Sequence, residues 1–140
     1  MKKISIIYAT KTKHSKKLAE AAAAALGVTA QSVLSKPSLA ETELLFIAGG
    51  LYGGESLPEL LEYVSGLSAP QVKSAALITS CASGKQGQKS VRSRLESNGI
   101  PVVDEYLCYG SFLLVRAGHP NKSELQSAAE FAVRLSGQEG

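Results

Sequence analysis

The sequence predicts an α/β domain with a parallel central sheet and helices on both faces, and three observations carry that expectation. Short β-rich runs alternate with longer helical patterns along the whole chain. The run at residues 44–48 (LLFIA) is apolar at every position, as a strand covered on both faces requires. No internal repeat, low-complexity tract or linker interrupts the alternation, so the 140 residues are expected to close one domain around one core. Five strands alternating with helices imply right-handed crossovers.

Each element has its own signal. Residues 3–8 (KISIIY) are rich in β-branched and aromatic side chains and make the first strand. Residues 16–26 follow as a helix with Leu18, Ala22, Ala25 and Leu26 on one face, and Gly27 stops it. Residues 28–34 read as the second strand, with Lys36-Pro37 opening a short connection. The 44–48 strand is the third and belongs at the centre. After the glycine-rich segment 49–54, Ser56-Leu57-Pro58-Glu59 starts a helix with an N-cap sequence and a stripe of Leu57, Leu60, Leu61, Val64 and Leu67. Residues 75–79 form the fourth strand, 86–98 a helix closed by Gly99, and 102–107 the fifth strand. A last helix spans 121–135, where Asn121 and Glu124 have capping-box spacing.

Composition narrows the function classes. Hydrophobic residues at 44% and charged residues at 19% are those of a globular protein, and no apolar run approaches the roughly 20 residues that cross a bilayer. The apolar run after Met1-Lys2-Lys3 is too brief for a signal-peptide core, which leads us to expect a cytoplasmic protein. Cys81 and Cys108 form no CxxC, so neither a metal site nor a disulfide framework is expected. The net charge of +3 is unevenly spread: Lys2, Lys3, Lys11, Lys13, Lys16 and Lys17 all precede the first acid, Glu20. Such a local positive field suits phosphate, nucleic acid or an acidic partner, while Lys16 and Lys17 equally read as a solvated helix face.

In sheets of this kind ligands bind outside the carboxyl ends of the strands, where strand order reverses. After the first strand come Thr10, Lys11, Thr12, Lys13, His14 and Ser15, with hydroxyls at the first, third and sixth places, leading directly into a helix. Free N–H groups at a helix start, together with hydroxyl donors, hold a phosphate; the same turn is also an ordinary helix cap. It is neither a phosphate loop of the GxxxxGK[ST] type nor a GxGxxG turn. A phospho-receiver is excluded as well, because Asp104 is the only aspartate in the chain. After the third strand, Gly50, Leu51, Tyr52 and Gly53 sit among four glycines that let backbone approach a flat ligand beside a stacking ring; a plain surface turn is the alternative. After the fourth strand, Ser80, Cys81, Ala82, Ser83 and Gly84 are small and polar, suited to wrapping a ring edge.

Together these segments resemble the flavodoxin family over essentially the whole chain. The family's [Ser/Thr]-x-Thr-x-x-[Ser/Thr] phosphate loop is matched by Thr10, Thr12 and Ser15, and Gly118-His119-Pro120 before the last helix is similar to its C-terminal section. The resemblance implies a flavodoxin-like three-layer sandwich of the short-chain type, with a five-stranded parallel sheet in the order 2-1-3-4-5. It implies FMN as cofactor, its phosphate at residues 10–15, Tyr52 stacked on the ring and residues 80–84 along the ring edge. It further implies an electron carrier working between a reductase and an acceptor enzyme, with a redox protein as partner and neither nucleic acid nor a membrane. A small NAD(P)H-dependent oxidoreductase and a flavin-free interaction module are the alternatives. Lys13 and His14 stand where the family often has Gly and Asn, and no second aromatic lies between Ser80 and Ser90. His119 and Cys108 are read as a loop or capping residue and a small core filler, with no catalytic residue assigned.

Overall fold

Alternation along the strands decides which helix covers which face of the sheet. The computed structural model describes residues 3–10, 13–39, 41–51, 55–81, 87–109 and 122–137. In chain order they form β1 (Ile4–Ala9), α1 (His14–Leu26), β2 (Ala30–Ser32), β3 (Leu44–Gly50), α2 (Pro58–Ser65), β4 (Ala75–Cys81), α3 (Lys89–Ser97), β5 (Val102–Tyr109) and α4 (Lys122–Ser136). The strands are parallel and lie in the order β2-β1-β3-β4-β5, as expected. Ile7, Leu45, Ile47 and Leu77 point to one face, where Leu60 and Val64 of α2 and Val91 and Leu95 of α3 meet them. Ile6, Phe46, Ala76 and Ile78 point to the other, against Leu18 and Ala22 of α1 and Phe131 of α4. All seven residues of β3 are buried, which accounts for its unbroken apolar run at the centre of the sheet.

Four elements depart from the sequence reading. The second strand was expected over 28–34, yet β2 keeps only Ala30–Ser32 and the chain turns into a 3₁₀ segment, Val33–Ser35. Ser32 Oγ accepts the Leu34 N–H at 3.1 Å and the Ser35 hydroxyl donates to the Ser32 carbonyl at 2.7 Å, so side chains replace the ladder. In α1, Ala25 is exposed, and Ala19 and Ala23 complete the buried face with Leu18, Ala22 and Leu26. At α2 the N-cap position is taken by Leu57, with no side-chain bond, while Ser56 Oγ is buried without a partner. The helix expected from residue 86 begins at Lys89, after Gln88 in a non-helical conformation. Gly27 (φ 74) and Gly99 (φ 82) stand in the left-handed region and end α1 and α3 as expected. The capping pair of the last helix involves Asn121, outside the described residues.

Two further contacts set the geometry of the faces. The β4–β5 register passes from Ala75↔Val102 to Ala76↔Asp104, so Val103 is an extra, bulged residue, and it is exposed. The Asn98 amide, at the end of α3, donates to the carbonyls of Val64, Ser65 and Leu67 at 3.5, 3.2 and 2.8 Å and so satisfies the last turn of α2. Asn98→Ala is expected to lower stability by about 1–2 kcal/mol, read as a lower urea midpoint at unchanged slope.

Candidate functional site

Ladder register brings the ends of three strands to one edge. Ala9 pairs with Gly49, Gly49 with Thr79, and Gly50 with Ser80, so the connections after β1, β3 and β4 leave the sheet side by side. The edge is extended by one further bond, from the Leu51 N–H to the Ser80 carbonyl at 3.1 Å. Because β2 and β3 flank β1, strand order reverses there, and the turn into α1 opens at the crevice.

The described residues of that turn could receive an anion. The Lys13 N–H donates to Thr10 Oγ1 at 2.8 Å, which folds the chain back, and Lys13 itself takes a left-handed conformation (φ 71) at the N-cap of α1. Accepting that bond leaves the Thr10 hydroxyl proton available to a ligand. The N-cap residue Lys13 makes no side-chain capping bond and no acid stands in the first turn, so among the described residues no negative charge offsets the positive dipole end of α1. Ser15 is fully buried, and its hydroxyl has no hydrogen-bond partner. A buried hydroxyl without a partner costs about 1–3 kcal/mol, which an incoming acceptor oxygen relieves. Lys13 and Lys17 are exposed and Lys16 half-buried around this opening. The residues therefore fit a phosphate group.

Thr10, Lys13 and Ser15 are thus brought together at the helix start, and Gly50, Leu51 and Ser80 lie along the adjoining edge. His14 opens α1 and Cys81 ends β4 in backbone terms. Lys11, Thr12, Tyr52, Gly53, Ala82, Ser83 and Gly84 lie outside the described residues, as does His119. Cys108 pairs with Ser80 and Cys81 with Tyr109 in the β4–β5 ladder. Among the described residues no group of three or more His, Cys, Asp or Glu is placed to hold a metal. No helix among them is long and apolar enough to cross a membrane.

Sequence reasoning overlooked the polar residues behind this edge. Thr79, Gln88, Arg92 and Glu105 form one hydrogen-bonded cluster, and Glu55 joins Ser90 Oγ at 2.9 Å and the Ser56 N–H at 2.8 Å. The available signal was Glu105, an acid inside a run of β-formers.

No family model matches the chain, and no curated protein matches it in sequence. Solved structures do match. A short-chain flavodoxin associated with a non-canonical PDU bacterial microcompartment superposes with TM-score 0.74 over 100% of both chains, at 14% identity. The oxidised flavodoxin 2 from Bacillus cereus gives 0.70 over 98% of this chain and 99% of its own, at 14% identity. This chain has the flavodoxin-like fold. An azoreductase from Bacillus anthracis str. Sterne shares it, with TM-score 0.66 over 99% of this chain and 100% of its own, at 14% identity. Within the flavodoxin-like fold, the partnerless Ser15 hydroxyl stands at the first strand-to-helix turn, at the sheet's carboxyl edge.

Proposed function

We propose that this chain binds FMN non-covalently and carries electrons between a reductase and an acceptor enzyme in the cytoplasm. The observation that carries the reading is the buried, unpartnered Ser15 hydroxyl at the acid-free start of α1. Thr10, Ser15 and the leading α1 amides hold the phosphate, with Thr12 as a further donor from the same motif. The Lys13 and Lys17 charges draw the dianion in. Gly50, Leu51 and the 80–84 segment line the ring, and Tyr52 stacks on it. When bound, FMN supplies the electron-transfer chemistry. The flavodoxins among the structural neighbours support this assignment.

The test is the visible spectrum and flavin fluorescence of the purified protein titrated with FMN, with Thr12→Ala as control. Saturable quenching that Thr12→Ala weakens is the expected result. A colourless protein that quenches nothing overturns the reading. The azoreductase neighbour raises a second reading, an oxidoreductase acting alone. Steady NAD(P)H oxidation by the holoprotein without a partner would favour it.

Fully reduced FMN is an anion, so a basic surround makes its formation easier. At ~10 Å and an effective dielectric of ~20, one charge is worth roughly 1–2 kcal/mol before screening. The second one-electron potential is therefore expected to be less negative than in acidic flavodoxins. Lys13→Glu is expected to lower it by about 1 kcal/mol after screening, or roughly 40 mV, in a redox titration of reconstituted protein.

A further inference from the structure

Behind the edge lies a carboxylate that the phosphate site does not use. The Glu105 side chain, on β5, is 13% exposed. Its Oε2 accepts the Thr79 hydroxyl at 2.5 Å and the Gln88 backbone N–H at 2.9 Å, and its Oε1 accepts Arg92 Nη2 at 3.3 Å. Thr79 lies just before the end of β4, and Gln88 is the residue from which α3 starts. One side chain therefore ties together the two ends of the chain that flank residues 82–86. Gln88 closes the same joint from within: it is fully buried, and its Nε2 donates to Thr79 Oγ1, the Ile78 carbonyl and the Ile47 carbonyl at 3.0, 3.3 and 3.4 Å.

This is not an ordinary helix start. Such starts are capped locally by Ser, Thr, Asp or Asn. Here the side chain of the N-cap residue Gln88 caps none of the helix's own N–H groups, and the acceptor for its backbone N–H comes from a neighbouring strand 17 residues later. The backbone is shaped to admit it: a Cβ on Gly87 would stand 2.5 and 2.6 Å from the two Glu105 oxygens. On the other side a Cβ on Gly49 would stand 2.8 Å from Gln88 Oε1. Each group of the joint thus fixes the next.

We propose that Glu105 is a positioning residue for the flavin ring. By fixing the separation between the end of β4 and the start of α3, it holds the Ser80 end of β4 at the ring edge. The proposal rests on the FMN reading, and its test separates the two by using riboflavin, which carries the ring without the phosphate.

Both flavins are titrated into wild type, Glu105→Ala and Glu105→Gln, following fluorescence and the visible band of the bound flavin. Glu105→Ala is expected to weaken riboflavin and FMN equally, by about tenfold, the factor that one charge-assisted hydrogen bond carries. The bound flavin's visible band is expected to shift. Glu105→Gln, which keeps an acceptor for Thr79 and Gln88, is expected to restore most of the affinity and the wild-type band. Wild type that binds no FMN overturns the flavin reading itself. Wild type that binds FMN, with Glu105→Ala unchanged in affinity and spectrum, overturns the positioning role alone, as does a loss confined to FMN. Should Glu105→Ala fail to fold, Thr79→Val removes one donor at nearly constant shape; unaltered riboflavin affinity and spectrum in that variant overturn the proposal.

Discussion

Ser15→Asp is expected to abolish FMN binding while leaving the chain folded. The new carboxylate would occupy the place of the unpartnered hydroxyl, at the start of α1, where free N–H groups and the positive dipole end receive it. These donors offset the desolvation that a carboxylate meets at this buried position. The phosphate, by contrast, would meet a like charge within ~4 Å, a repulsion of about 4 kcal/mol per charge at an effective dielectric of ~20. That corresponds to roughly a thousandfold loss in affinity, enough to give a colourless protein. Ser15→Ala removes only the hydroxyl and is expected to cost about 1 kcal/mol of binding. Fluorescence titration of both variants, with circular dichroism as the folding control, checks the pair. Wild-type affinity in Ser15→Asp would remove the phosphate from this turn.

The largest stability effect is expected at Phe46→Ala. Phe46 is fully buried in the central strand, between Ile6 and Ala76 in the ladder, and meets the Phe131 ring edge-on at 6.2 Å and 72°. Phe131 is in turn packed by Tyr106 at 5.8 Å, and the Arg134 guanidinium lies 5.5 Å from its ring centre. Truncation removes the transfer energy of a whole ring, opens a cavity and breaks the aromatic contact, at about 3–5 kcal/mol. Since a domain of this kind is held by only about 5–15 kcal/mol, the urea midpoint should fall by about a fifth or more. A loss below about 1 kcal/mol would mean that α4 does not press on the sheet as described.

Some features of this fold are encoded by neighbouring residues and others only by contacts distant in sequence. The apolar run of β3 and the left-handed glycines after α1 and α3 are written in adjacent residues, and each appeared where its signal stood. The early end of β2 is local too, but it depends on where the Ser32 and Ser35 hydroxyls turn, which composition does not reveal. Glu105 and Gln88 were illegible for another reason. They meet only because β4 and β5 are neighbours in one register, and the same is true of Asn98 and the last turn of α2. The ring contacts proposed for Tyr52 and residues 82–84 rest on sequence alone.

The bulge at Val103 has a consequence for how the chain behaves in a crowd. Among the described residues β5 has no outer neighbour in the sheet, and a flat, open edge of this kind recruits strands from other molecules. Val103 breaks the even spacing that such recruitment needs, and next to it Asp104 and Arg134 pair at 3.4 Å, so that an arriving strand would meet charge instead of a smooth ladder. The kink at the start of β5 thus denies an added strand an even ladder at that end of the sheet's edge.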